Sequence, residues 1–188
     1  MRLFAAVPLT EPARSELIRA LSHLKSLEWP VRWVHEDDPH ITLKFFGEVP
    51  DERFDVIEEA LGLAVRDAPP LALGLSGLGA FPTERRPRVL WAGIESNAAF
   101  GALRERIEVA CLAIGFAPEG TPFQPHVTLG RMREGQRLPP GALQSQSNLV
   151  TAMNFVAPSM LLYESVLTST GPRYTVRSTF EFGRPWAA

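Results

Sequence analysis

The spacing of apolar residues changes twice in the first fifty residues, from alternate positions to every third or fourth and back. Alternation is typical of a strand with one buried face, and the stripe formed by Leu17, Leu21 and Leu24 is typical of an amphipathic helix. The predicted elements are a strand at residues 2–9, a helix at 11–27 and a strand at 40–49. The first part of the chain is therefore predicted to be a β-α-β unit.

The second half of the chain repeats this pattern. PHITL at residues 39–43 recurs as PHVTL at 125–129, an offset of 126 − 40 = 86 residues, and the same offset carries RLFAA at 2–6 onto RVLWA at 88–92. Two segments that agree on one offset indicate an internal repeat. The second β-α-β unit is predicted as a strand at 88–95, a helix at 100–116 and a strand at 126–132.

The remaining segments predict an α+β fold. A further strand is expected in each half, at 71–81 and 159–167, with a helix at 51–68, a Gly-, Pro-, Ser- and Gln-rich loop at 134–151 and a final strand at 174–182. We expect one bilobal domain, residues 1–188, with repeats at approximately 1–86 and 87–188. Each lobe is predicted to be a small, mostly antiparallel sheet with its helices outside and the functional cleft between the lobes.

The repeated strands each carry a polar pair within an apolar run. Alternation predicts that His40, Thr42 and Lys44 share one strand face, opposite Ile41, Leu43 and Phe45. A pseudo-twofold axis would make the His40 strand face its counterpart, which carries His126 and Thr128. Burying such pairs in a core costs roughly 1–3 kcal/mol for each unsatisfied group, which favours a chemical role over packing. His23 and His35 lack both the threonine and the repeat, and are predicted to be surface residues.

Two histidines with a pKa near 6.5 can act as base and acid at neutral pH. A reaction that removes a proton from one group and delivers a proton to another requires both roles. Thr42 and Thr128 could donate hydrogen bonds to an anionic group held near the histidines, and Arg131 could add a charge-assisted contact. Arg131 is out of phase with the histidine face, so this contact requires a bulge, such as one at Gly130.

Composition and charge narrow the class of protein. A chain of 188 residues, 45% hydrophobic, can bury a core, and the single Cys111, predicted to be buried in a helix, excludes an internal disulfide. Without a signal peptide or an apolar run of roughly 18 residues, we expect a soluble cytoplasmic protein with no membrane contact. A net charge of −2 argues against binding long duplex nucleic acid. The basic clusters at 85–88 and 131–133 are interpreted as solvated surface charge, apart from Arg131.

The paired motifs HITL (40–43) and HVTL (126–129) resemble those of the two-histidine phosphoesterases. With the segments MRLFAAVPL, WVHEDDPHITLKFFGEV, GLGAFPTERRPRVLWAGI, FQPHVTLGR, LYES and GPRYTV, they are similar to the RNA 2′,3′-cyclic phosphodiesterases, once named 2′-5′ RNA ligases. The resemblance implies a metal-independent hydrolase acting on RNA ends or nucleotides that carry a 2′,3′-cyclic phosphate and leaving a 2′-phosphate. It also implies that His40 is the proton donor and His126 the acceptor. No cofactor is expected, and a monomer would complete the site.

Other interpretations remain open at this stage. Phe123, in a Pro-flanked loop three residues before His126, is the preferred candidate for stacking on a base, ahead of Phe45, Phe46, Trp33 and Trp91. The alternatives are an ATP-independent 2′-5′ RNA ligase, a phosphodiesterase for a small nucleotide, a metal hydrolase and a non-catalytic RNA-end binding module. Metal sites usually need three or four ligands, and the motifs supply no nearby acidic residue or cysteine on the same face.

Overall fold

A computed structural model describes residues 1–36, 39–120, 122–168 and 171–183. Asp37 and Asp38 of the WVHEDDPHITLKFFGEV segment, and the last five residues of the predicted 1–188 domain, lie outside the described residues. The helices are α1 Ala13–Ser26, α2 Phe54–Val65 and α3 Ala98–Ala113, with 3-10 turns at Asp51–Arg53 and Gln144–Gln146. The strands are β1 Arg2–Pro8, β2 Val31–Trp33, β3 His40–Glu48, β4 Leu71–Thr83, β5 Arg86–Glu95, β6 His126–Met132, β7 Met153–Ala157, β8 Ser159–Thr168 and β9 Gly171–Glu181.

The predicted β-α-β order is confirmed in both halves, as β1-α1-β3 and β5-α3-β6. The structure also confirms the helix predicted at 51–68, which is α2, together with the strands β4, β8 and β9 and the loop after β6. Strands β2 and β7 were not predicted, because three and five residues are too few to show a period. The helix α3 begins where the Asn97 side chain accepts a hydrogen bond from the Phe100 amide at 3.0 Å, which satisfies a free donor of the first turn.

All strand pairings are antiparallel, in the order β7-β4-β5-β6-β3-β1-β8-β9, with β2 on the end of β6. From the centre outwards the halves are β3-β1-β8-β9 and β6-β5-β4-β7, so the α+β fold with two related halves is confirmed. The third strands, however, are exchanged. Strand β4 forms a hairpin with β5, closed by Thr83 and Arg86, whereas β8 joins β1. Each half of the sheet therefore contains strands from both halves of the chain.

One continuous apolar cluster joins the buried faces of the three helices to one face of the sheet. The predicted leucine stripe of α1 is buried, as is Cys111 on α3. Burial raises the pKa of the Cys111 thiol to about 11. The other sheet face, called the open face below, carries His40, Thr42, His126 and Thr128, all of them half-buried. No helix in the described ranges is long and apolar enough to cross a membrane.

The prediction that Lys44 shares the face of His40 is wrong. Between Ala6↔Thr42 and Ala5↔Lys44 the register shifts by one residue, so Lys44 turns towards the helices and is 1% exposed. Its ammonium donates hydrogen bonds to Glu108 Oε2 and to the Ala117 carbonyl, both at 2.7 Å. Arg104 forms an ion pair with the same carboxylate. These bonds satisfy the buried charge and connect β3 to α3.

The Glu16 carboxylate connects α1 to the loop before β7. It accepts hydrogen bonds from the Arg19 guanidinium at 2.8 and 2.7 Å and from the Thr151 amide at 2.7 Å. Arg19 also donates to the Leu149 carbonyl at 2.6 Å. The bonds from Arg19, followed by those from Thr151, lower the pKa of Glu16 from 4.5 to about 2, although burial alone would raise it.

This lowered pKa gives a testable pH dependence of stability. Ionised Glu16 stabilises the folded state fully above its unfolded pKa of 4.5, and the contribution is lost as the pH falls towards 2. We expect Glu16→Gln to lower the free energy of unfolding by about 1–3 kcal/mol at pH 7, with a difference from wild type that shrinks between pH 4.5 and 2. Urea denaturation followed by circular dichroism measures this. Glu105→Gln, at an exposed position on α3, is the control and should change stability by less than about 0.5 kcal/mol. An equal loss at pH 7 and pH 2.5 would contradict the role of the charge.

Candidate active site

The two histidine strands meet at the centre of the sheet, where Ile41 pairs with Val127. In an antiparallel pairing, the numbers of opposite residues have a constant sum, here 41 + 127 = 168. If this register continues by one position in each direction, His40 is opposite Thr128 and Thr42 is opposite His126. In a regular antiparallel sheet, opposite residues lie about 4.5–5.5 Å apart and diagonal ones about 7–8 Å apart. This register places the two predicted His-x-Thr pairs next to each other on the open face, with each histidine position opposite the threonine position of the other motif.

Both histidine strands bulge at equivalent positions. The register shifts between Thr42 and Lys44 in β3, and between Thr128 and Gly130 in β6, positions that differ by the repeat offset of 86. Directly after each bulge, the residues that face the open side change from even-numbered to odd-numbered positions. Arg131 is thereby exposed on the side of the preceding histidine, as the contact with phosphate requires.

Gly130 allows β2 to pack closely on β6 at this bulge. A Cβ atom added to Gly130 would lie 2.5 Å from Val31 Cγ1 and 2.9 Å from the Trp33 ring. The pairing of Arg32 with Arg131 then fixes the backbone that carries the Arg131 side chain.

His126 has a defined tautomer. Its Nδ1 lies 2.7 Å from the Gln124 carbonyl oxygen, which can only accept, so Nδ1 carries the proton and Nε2 of the neutral ring keeps its lone pair. Burial lowers the pKa of His126, and the positive charge of Arg131 lowers it further, against the opposing effect of the bond to Gln124. A neutral ring with an available Nε2 is suited to accept a proton.

Aromatic rings surround His126. The Phe81 ring lies 4.9 Å away in an edge-to-face arrangement, and the Trp91 ring lies 6.2 Å away. Trp91 packs over Gly79, where an added Cβ atom would come within 2.2 Å of the indole.

His40 lies among three aromatic rings on the other half of the sheet. Centroid distances are 5.0 Å to Phe4, 5.6 Å to Tyr163 and 5.3 Å to Tyr174, the last nearly perpendicular. Phe4 and Tyr163 are buried and stack on each other at 5.0 Å. The ring of His40 is thus positioned by packing from β1, β8 and β9.

The structure does not bring Phe123 to the histidines, contrary to its predicted role as a base-stacking residue. Its ring stacks on Phe100 at 6.0 Å and lies under the Arg104 guanidinium at 4.7 Å, so it packs against α3 on the helix side. Phe46 packs against Phe116 in the core, whereas Phe45 is 43% exposed.

Sequence reasoning missed Phe4, Phe81, Tyr163 and Tyr174. Phe4 and Phe81 belong to predicted strands, but their proximity to the histidines depends on how these strands pair. Tyr163 lies on β8, which pairs with β1, and Tyr174 lies on β9, which pairs with β8, and no local pattern indicates these pairings. His23 and His35 are exposed, as predicted. Among the described residues, no group of three or more His, Cys, Asp and Glu side chains is placed to hold a metal ion.

Comparison with known proteins identifies close relatives. The chain is 37% identical over 179 residues to an RNA 2′,3′-cyclic phosphodiesterase of Geobacillus stearothermophilus, with 94% of this chain and 56% of that protein aligned. The chain thus spans little more than half the length of that relative. It is 33% identical over 183 residues to an RNA 2′,3′-cyclic phosphodiesterase of Methanothermobacter thermautotrophicus, covering 96% of this chain and 98% of that protein.

Solved structures agree with these relatives. The crystal structure of TT0787 of Thermus thermophilus superposes with a TM-score of 0.80 at 28% identity, covering 97% of this chain and 98% of that one. The model of the family described as LigT-like phosphoesterase matches residues 7–91 and 94–174, and each matched segment contains one His-x-Thr motif. The chain therefore belongs to the LigT-like phosphoesterase family, the two-histidine phosphoesterases.

Proposed function

We propose that this chain hydrolyses a terminal 2′,3′-cyclic phosphate, on an RNA end or a nucleotide, to a 2′-phosphomonoester without a metal. The observation that carries the proposal is the pairing of Ile41 with Val127, because the positions on either side of it are the histidines and threonines of the two His-x-Thr motifs, all on the open face. The relatives named RNA 2′,3′-cyclic phosphodiesterase support the choice of substrate. Both motifs lie on one chain, so we propose that a monomer is active.

In the proposed reaction a water molecule attacks the phosphorus and His126 Nε2 takes a proton from it. The bond between phosphorus and O3′ breaks, and His40 gives its proton to O3′, leaving the phosphate on O2′. One water is consumed, and both histidines return to their starting states when a proton passes from His126 to His40 through solvent. Thr42 and Thr128 donate hydrogen bonds to the non-bridging oxygens as their charge grows, and Arg131 contributes positive charge to the same atoms.

The environment of His126 supports its role as base. Its Nδ1–H is held by Gln124, and burial and Arg131 both favour the neutral ring. His40 is left with the role of acid, in agreement with the roles that the resemblance implies.

The direct test is to incubate the protein with each nucleoside 2′,3′-cyclic phosphate in excess chelator and to separate the product isomers by chromatography. We expect full activity in chelator and a 2′-monophosphate product. Absence of turnover on every nucleoside 2′,3′-cyclic phosphate would refute the proposed activity, whereas activity that is lost in chelator and restored by a divalent metal would refute metal independence.

The two histidine roles can be separated by leaving group. We expect His126→Ala to lower kcat by about 10²–10⁴-fold on all substrates, because water must be activated in each case. His40→Ala should cause a similar loss with an alkoxide leaving group but a much smaller loss with a nitrophenyl ester, which needs no proton. The exposed His23→Ala is the control. If only His126→Ala is rescued by the good leaving group, the roles are reversed.

The pH profile tests the environment of His126. Protonated His126 cannot accept a proton, and its pKa is lowered, so the acid limb of kcat/KM should lie below pH 6.5. Arg131→Met removes a charge that lowers this pKa, and should move the acid limb to higher pH as well as reduce kcat/KM. Arg66→Gln, on an exposed residue after α2, should leave the limb in place. An unchanged limb in Arg131→Met would show that Arg131 does not influence the base.

A further inference from the structure

Two arginine clusters that are 43 residues or more apart in sequence line one groove. The groove has a volume of about 580 Å³ and lies between the β4–β5 hairpin and the segment that leaves β6. Its arginines are all exposed, namely Arg85, Arg86, Arg88, Arg131, Arg133 and Arg137. The lining contains one acidic residue, Glu134. A chain with a net charge of −2 therefore concentrates six of its 19 basic residues in one place.

The charge of these six guanidinium groups is not balanced by ion pairs among the residues that the structure describes. Within the described residues, none of them forms an ion pair with a carboxylate within 4.0 Å. Elsewhere, Arg19, Lys25, Lys44, Arg104 and Arg177 are all paired with glutamates. Unpaired like charges repel one another, and the binding of a polyanion relieves this repulsion.

The groove is continuous with the candidate active site. Arg131 belongs to both, since it lines the groove and its charge lowers the pKa of His126. A second depression, also of about 580 Å³, shares Arg86, Arg88 and Val89 with the groove and extends to Phe81, whose ring contacts His126. An extended anionic chain with its end at the histidines could therefore continue along the arginines.

We propose that this arginine groove binds the single-stranded RNA that precedes the terminal cyclic phosphate, so that the protein acts on oligonucleotide ends in preference to mononucleotides. The inference rests on the proposed function. The successive phosphates of a single strand match a row of guanidinium groups. Each such contact makes the binding constant depend on salt, with a slope of about −0.7 in log K against log salt concentration. The half-buried Phe81 ring and the exposed arginine side chains also offer flat surfaces on which bases can stack.

The test compares an octaribonucleotide ending in a 2′,3′-cyclic phosphate with the mononucleoside 2′,3′-cyclic phosphate of the same base. In the wild type, we expect kcat/KM for the octamer to exceed that for the mononucleotide by more than about 10-fold and to fall steeply with salt. The triple variant R85Q/R133Q/R137Q should lose about 10–100-fold on the octamer and weaken the salt slope by about 2, because three contacts are removed. Activity on the mononucleotide should stay within about twofold.

The matched control R14Q/K25Q/R66Q removes the same charge outside the groove and should retain the activity on the octamer. Equal losses on octamer and mononucleotide, or the same loss in the control, would overturn the inference. If the wild type hydrolyses no cyclic phosphate, the proposed function fails, but the groove can still be tested by fluorescence anisotropy with a labelled octamer ending in a 3′-phosphate. Tighter binding by wild type than by the groove variant would support the groove, whereas equal binding, or equal competition by DNA or by an acidic polypeptide, would overturn it.

Discussion

The candidate site depends on the pairing of β3 with β6 through Ile41 and Val127. Both side chains are buried in the core on the helix side, and this anchors the strands where the two halves of the sheet meet. Because side chains alternate along a strand, the same pairing directs the neighbouring histidines and threonines to the open face. A slip of one residue would bury the imidazoles and expose the aliphatic residues, so core packing fixes the register on which the chemistry depends.

The helix side of β3 supports this arrangement through a buried charge. Lys44 follows the bulge and is held by Glu108 of α3 and by the Ala117 carbonyl. Removing one partner would leave an uncompensated buried charge, which typically costs about 3–5 kcal/mol, so α3 is fixed in position against the histidine strand. At the equivalent position in β6, Gly130 instead allows β2 to approach. The buried ion pair of Lys44 in β3 and the close packing of β2 on Gly130 in β6 thus stabilise equivalent bulges in two different ways.

The repeat of 86 residues was sufficient to predict the two β-α-β units, the proximity of the two histidine strands and the α+β class, but not that these strands pair directly within one sheet. Alternation failed after Thr42, because a bulge cannot be recognised from a run such as TLKFF, and Lys44 was therefore assigned to the wrong face. The exchange of β4 and β8 between the halves could not be predicted either, since it arises from the hairpin between Thr83 and Arg86 and not from the repeat. For the same reason Tyr163 and Tyr174 were missed as neighbours of His40. Phe123 was misplaced because its distance in sequence from His126 says nothing about which side of the sheet the loop follows.

The two halves share a strand arrangement but differ in the side chains that surround the two histidines. Position 45 and position 131 follow equivalent bulges, yet one is Phe45 and the other is Arg131. Burial and the charge of Arg131 lower the pKa of His126, whereas His40 packs among aromatic rings, and the proposed roles of proton acceptor and proton donor require such different surroundings. The arginine groove also lies on the His126 side. In this protein a symmetric fold positions the two histidine strands, and the different side chains beside them, Arg131 near His126 and aromatic rings near His40, support the different roles that we propose for the two imidazoles.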